Sequence, residues 1–178
     1  GLIARQSLGR RIATQRVAVS SPIETLRVSA GAPQLHLLVR TAEQLNAAIA
    51  LQPASITLDY LELYGLRPSV ERVEQAGIPV RVASPRVLKP AEERIVHFLL
   101  KLGAPILVRS TGLLHSLREM AEARPELTGD FSLNAANVKS TQLLLEAGLA
   151  RLAPTYDLNA AQIAGLARAV GPLLIEAV

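Results

Sequence analysis

The chain of 178 residues has no cysteine and no tryptophan, a single methionine, and only three aspartates. The missing cysteines exclude disulfides, cysteine nucleophiles and thiolate-held metals or iron–sulfur clusters within this stretch. Charged residues are sparse, at 19%, and interspersed. From residue 34 onward there is no low-complexity run and no linker rich in Pro, Gly or Ser, which excludes a long disordered segment there. Apolar runs never reach the roughly 18 residues of a membrane span. The first residues also lack the charged-then-apolar pattern of a secretory signal. The expectation is a soluble cytoplasmic protein with no membrane association. What the chain does have is aliphatic residues: at 49% hydrophobic it can bury one sizeable core.

The sequence pI near 10.0 raises the question of nucleic acid until the charge is located. Arg5, Arg10, Arg11, Arg16 and Arg27 stand against Glu24 alone in residues 1–33, whereas the remainder holds 14 basic and 14 acidic side chains. The basicity thus belongs to an N-terminal arm, residues 1–33, and residues 34–178 form a neutral body. The arm reads either as the solvated face of a short helix built on Leu8, Ile12 and Val19 or as a phosphate-binding segment. Without interleaved aromatics the second is the weaker signal.

In the body, short aliphatic runs alternate with longer amphipathic stretches. The runs are Leu35–Val39, Ser55–Leu58, Pro79–Ala83, Pro105–Val108, Asp130–Leu133, Leu149–Ala153 and Leu173–Val178. Each is too short for a helix and suits a buried parallel strand. Between them lie helices with legible ends: Thr41 with Gln44 and Asn159 with Gln162 as capping boxes, Pro90 as an opener, and Gly103 and Gly171 as stops. Strand–helix–strand repetition implies a parallel sheet with crossover helices, either doubly wound or a barrel. The even period, the polar residue closing most strands, and the lack of a glycine-rich phosphate loop favour the barrel. A full barrel takes about 250 residues. The expected fold is therefore an incomplete TIM-type (β/α) barrel of about seven parallel strands, with open edges that need a partner domain or a second copy.

In such a fold the carboxyl ends of the strands carry the site. The residues just past each run are Arg40, Asp59 with Glu62, Ser84 with Arg86, Arg109 with Ser110, Asn134 with Asn137, Tyr156 with Asp157, and Glu176. Three arginines at one end make a mouth suited to a carboxylate or phosphate. Asn134 and Asn137 stand at a strand exit and one helical turn beyond, so a single helix cap would leave one amide to bind. Structural alternatives stand beside these: a rim ion network joining Arg40 and Arg109 to Asp59 or Glu62, Asp157 as a turn residue, and Ser110 and Thr111 as caps. His36, His97 and His115 share no metal-ligand spacing and fit packing or surface positions. No metal ligands are assigned.

The run GDFSLNAANVKSTQLLLEAGLARLAPTYDLNAAQI resembles the collagenase-like peptidase family U-32, through Asn134, Asn137, Leu144, Gly148, Leu149, Arg151, Leu152, Asp157, Leu158 and Gln162. The likeness extends more weakly through LHLLVRTAEQLNAAI, ITLDYLEL and GIPVRVASPRV, and SLGRRIATQRVAV is similar to the arginine-containing helix linking the halves of longer members. It implies a TIM-barrel-like fold and a hydrolase of the peptidase type. Relatives in the family hydroxylate transfer RNA, ribosomal RNA or quinone precursors without oxygen, using an iron–sulfur cluster held by cysteines. Here the cysteine signature is missing, Asp157 stands where many relatives have glutamate, and LLIEAV lies where relatives continue into a His- and Cys-bearing segment. The expectation is one domain of a longer enzyme. Asp59 and Asp157 are its candidate catalytic residues, and Arg40, Arg109, Asn134, Asn137 and Tyr156 its candidate substrate contacts. The ligand would be a peptide or anionic small molecule, with RNA as an alternative partner. An iron–sulfur cluster or divalent metal would come with the full-length protein.

Overall fold

The computed structural model describes residues 32, 34–120 and 124–176. All five arginines of the basic arm therefore lie outside the described residues, as do Ala177 and Val178. Among the described residues six strands pair side by side in chain order, every pair parallel: β1 (His36–Val39), β2 (Ser55–Leu58), β3 (Val80–Ala83), β4 (Ile106–Val108), β5 (Leu127–Gly129) and β6 (Arg151–Leu152). A doubly wound sheet would reverse its strand order at a switch point. Here the order never reverses, so the sheet winds in one sense and curls into an incomplete TIM-type barrel.

Among the described residues six helices cover the outside: α1 (Ala42–Leu51), α2 (Leu66–Gln75), α3 (Glu93–Leu102), α4 (Thr111–Met120), α5 (Val138–Glu146) and α6 (Ala160–Val170). Their starts follow local chemistry. Thr41 Oγ1 accepts from the Gln44 amide, though Gln44 turns its own side chain to the Arg40 amide instead of completing a box. Asn159 and Gln162 do complete one. Pro90 precedes α3 by a turn rather than opening it, and Gly103 stops that helix in the left-handed region at φ 74°.

Period-two alternation gives the sheet two unlike faces. Val39, Ile56, Leu58, Val82, Ile106 and Val108 point outward and form one core with Leu45, Val73, Leu99 and Leu117 of the helices. The inward face lines an open concavity of about 840 Å³ and includes His36, Leu38, Thr57, Arg81, Leu107 and Arg109. All strands being parallel, their carboxyl ends and the following loops form one rim of that concavity.

Two predicted strands are corrected. Asp130–Leu133 is not a strand: Phe131–Leu133 is a 3-10 turn, and β5 lies three residues earlier, with Leu127, Thr128 and Gly129 opposite Ile106, Leu107 and Val108. Alternation in Phe131, Ser132 and Leu133 imitates a strand, but the register follows Gly129. A side chain there would come within 2.8 Å of both Leu149 Cδ1 and Leu152 Cβ and 3.1 Å of Leu133 Cδ1. Leu173–Val178 likewise fails to form a seventh strand over its described part. Pro172–Leu174 is a 3-10 turn, and Ile175 makes one parallel bridge to Leu152.

Since Leu152 Cβ is fixed to the sheet backbone and cannot move aside, Gly129→Ala is expected to destabilise the fold by about 1–3 kcal/mol. Urea denaturation checks this, with Gly112→Ala at an exposed position of α4, where an added Cβ meets nothing within 4 Å, as the tolerated control.

Candidate functional site

The rim is built on a chain of five charges of alternating sign, Arg40–Asp59–Arg109–Asp130–Arg86. Arg109 directly follows β4 and is buried, with 8% of its side chain exposed. Its Nη1 donates to Asp59 Oδ1, and its Nε lies 3.7 Å from Asp130 Oδ2 without forming a hydrogen bond. The backbone on either side is clamped: the Arg109 amide donates to Ser84 Oγ at 3.1 Å, and the Arg109 carbonyl accepts from Ser132 Oγ at 2.9 Å. Ser132 Oγ also lies 2.8 Å from Asp130 Oδ2, so one hydroxyl proton serves two acceptors. The outer guanidiniums close the chain at its ends. Arg40 Nε donates to Asp59 Oδ2 at 3.1 Å, and Arg86 Nη1 stands 3.6 Å from Asp130 Oδ2.

The two carboxylates are nearly as buried as Arg109, at 12% and 10% exposed, whereas Arg40 and Arg86 are 66% and 46% exposed. Three guanidiniums against two carboxylates leave one positive charge in excess, and the excess sits on the solvent side. The Arg109 hydrogen bond is the main cause holding the Asp59 carboxyl below its ordinary range. Burial opposes it, and the charge of Arg109 and the contact with Arg40 add to the lowering. A carboxylate so stabilised is a weak base. Asp59 therefore suits the orienting of two guanidiniums better than proton abstraction.

Beside the charges stands an aromatic pair. Phe131 and Tyr156 stack at 3.9 Å between centroids, and the Arg86 guanidinium lies 4.9 Å over the Phe131 ring. Tyr156, 60% exposed, lines the same concavity as Arg40, Arg86, Arg109 and Asp130. The structure thus brings Arg40, Asp59, Arg109 and Tyr156 together.

The remaining predicted residues are placed differently. Asn137 is the N-cap of α5: its Oδ1 accepts from the Ser140 amide at 3.0 Å, and Ser140 Oγ accepts from the Asn137 amide in return. Asn134 does not stand at a strand exit. It ends the 3-10 turn in the left-handed region at φ 57°, which asparagine tolerates better than most residues. Both asparagines thus have backbone duties, whereas the sequence accounted for only one. Asp157 is exposed in the loop before α6 and accepts from Thr155 Oγ1 at 3.1 Å. Neither it nor the asparagines line the concavity. Ser110 Oγ caps α4 by accepting from the Leu113 amide, and His36 sits at the opposite end of the sheet against Ser55 Oγ.

Asp130 and Phe131 are the members that sequence reasoning missed. Both were absorbed into the misplaced strand; moved three residues back, β5 ends at Gly129 and makes Asp130 a rim residue by the same rule that found Asp59. The rarity of aspartate in this chain was the available signal.

In comparisons with known proteins, no family model and no curated protein matches the sequence. Among solved structures, the U32 peptidase Mk0906 matches with a TM-score of 0.60 at 12% identity, over 80% of this chain and 68% of that one. At that identity the likeness shows the fold, a U32-like α/β barrel, and the fold alone. The iron–sulfur cluster that the resemblance implies for a full-length protein finds no ligands among these residues. The chain has no cysteine, and among the described residues no group of three His, Asp or Glu side chains could hold a metal ion. No described helix is long and apolar enough to cross a membrane.

Arg109→Met would leave Asp59 and Asp130 facing each other's charge in a mostly buried site, and is expected to cost about 3–5 kcal/mol at neutral pH. Because the folded pKa of Asp59 is lowered, its contribution is full above about pH 4 and lost as pH falls through the folded value. Urea titrations from pH 7 to pH 2 should show that acid loss in the native protein and a shallower one in Arg109→Met. Asn137→Ala should cost about 1 kcal/mol through the lost cap. Asn134→Gly should be neutral within a few tenths and Asn134→Val clearly destabilising, because a β-branched residue resists positive φ.

Proposed function

We propose that this chain is the barrel portion of a peptidase-type protein and that its strand-end rim binds the carboxylate of a peptide or small acidic substrate. The observation that carries this is the unequal exposure along the charge chain: Arg109 and Asp130 are buried and Asp59 nearly so, while the exposed Arg40 and Arg86 line the concavity. Asp59 and Asp130 hold Arg40 and Arg86 at set positions without neutralising the rim. Each outer guanidinium uses only part of its fork of donors and can offer the rest to an incoming carboxylate. Tyr156 and Phe131 supply an apolar wall beside that anchor.

Hydrolysis has less support from the geometry than binding. Ser84, Ser110 and Ser132 are all engaged in hydrogen bonds to backbone, and no histidine lies on the described rim. Asp59 is held by two guanidiniums and Asp157 stands outside the lining of the concavity, so neither predicted acid/base candidate is favoured for proton transfer. The alternative function as the substrate- or RNA-binding half of a cluster-dependent hydroxylase needs cysteines supplied from elsewhere, and no step is assigned to it.

Calorimetric titration with an N-acetylated peptide ending in a free carboxylate, and with its C-terminal amide, tests the proposal. The free acid should bind and the amide should not. The double variant Arg40→Ala/Arg86→Ala should weaken binding by about 10- to 100-fold, the loss of one or two charge-assisted contacts. Equal affinity for acid and amide would overturn it. A peptidase assay with and without divalent metal, comparing Asp157→Asn with Ser110→Ala, separates a binding rim from a hydrolytic one.

A further inference from the structure

Below the rim, on the concave face, a second group of charged side chains takes no part in the site described above. Arg81 stands in the middle of β3 and points inward. Its Nε donates to Thr57 Oγ1 at 3.2 Å and its Nη1 to Thr128 Oγ1 at 3.0 Å, both hydroxyls being buried in the sheet. The same Nη1 reaches the two carboxylate oxygens of Glu176 at 2.9 and 3.1 Å. Arg151, on β6, places Nε 2.8 Å from Glu176 Oε1 and Nη2 3.2 Å from Glu126 Oε1. Thr128 lies two residues before Asp130, roughly 7 Å down the strand from the rim.

The two sides of this contact are anchored differently. Two threonines from neighbouring parts of the sheet fix the Arg81 guanidinium, so its direction does not depend on Glu176. Glu176 comes from outside the regular strands: among the described residues its segment joins the sheet through the Ile175–Leu152 bridge, with Ile175 packed against the core and the Glu176 amide donating to the Leu152 carbonyl at 2.9 Å. The side chains of Arg81, Glu176 and Arg151 are 22%, 26% and 46% exposed, and all three line the concavity. With the Glu176 carboxylate withdrawn, two guanidiniums would face Glu126 alone, and Leu107 and Ala153 would flank the opening. A guanidinium preorganised by the sheet opposite a carboxylate carried on a non-strand segment has the makings of an anion seat.

We propose that Arg81 and Arg151, set by Thr57 and Thr128, form a carboxylate-binding seat in the floor of the half-barrel, with Glu176 as an internal occupant that a small aliphatic carboxylate displaces. The segment Gly171–Glu176 is then a strap: it competes with ligand for the seat, and ligand in turn releases it. This seat is separate from the rim and does not require the rim to bind anything.

The test uses succinate and the full chain carrying Arg40→Ala/Arg86→Ala, so that only the floor can respond. In that background Glu176→Ala should bind succinate about tenfold or more tightly than the protein retaining Glu176, because the internal competitor is gone. Adding Arg81→Met should abolish the gain. In the protein retaining Glu176, saturating succinate should speed hydrogen exchange at the Glu176 amide. Glu176→Gln, a neutral side chain of nearly the same shape, gives the same comparison should Glu176→Ala fail to fold by circular dichroism. Equal succinate affinity with and without the Glu176 carboxylate, a gain that survives Arg81→Met, or unchanged exchange at Glu176 would each show an ordinary structural ion pair and overturn the proposal.

Discussion

A guanidinium buried between two carboxylates, Arg109 between Asp59 and Asp130, is the constraint on which the rim depends. A charge at that depth is tolerable only if paired, and each carboxylate drawn in to pair it needs a further cation of its own. Arg40 and Arg86 meet that need from the solvent side. The alternating chain is thus the outcome of successive charge compensation working outward from Arg109. Where it reaches solvent the compensation stops, and the uncompensated charge is positive. The ion network and the positively charged mouth, which read as rival accounts in the sequence, are the inner and outer parts of one arrangement.

Consecutive strand order makes that arrangement possible. A sheet wound in one sense curls and so acquires a convex face and a concave one. Aliphatic side chains on the convex face pack under six helices, while the concave face keeps Arg81, Thr57, Thr128 and Arg151. A flat doubly wound sheet would bury both faces under helices and could not keep arginines at the strand centres facing an open cavity. The polar floor and the charged rim therefore both follow from curvature.

Strands β1 to β4 were legible because Leu35–Val39, Ser55–Leu58, Pro79–Ala83 and Pro105–Val108 are bounded by turn and cap residues that leave little choice of register. β5 was not. Leu127 and Thr128 precede a glycine and an aspartate, a pair that reads as a turn, and the apparent alternation in Phe131–Leu133 competes with them. What decides the register is contact between Gly129 and the side chains of Leu149 and Leu152, which belong to the next unit of the repeat. Arg81 escaped notice for a different reason. It lies inside a strand rather than at its end, and only its inward direction, together with Thr57 and Thr128 from two other strands, marks it as more than a surface charge.

From the sequence alone came the α/β class, the spacing of the repeat, most helix ends, and the rim membership of Arg40, Asp59, Arg109 and Tyr156. These depend on local periodicity and on cap and turn chemistry, which act within a few residues. Tertiary structure decided that the sheet curls without a switch point, that Asp130 and not Asn134 follows β5, and that Glu176 meets Arg81 across 95 positions of chain. Each of these rests on which side chains meet across strands, and pairings between distant segments leave no periodic trace in a single sequence.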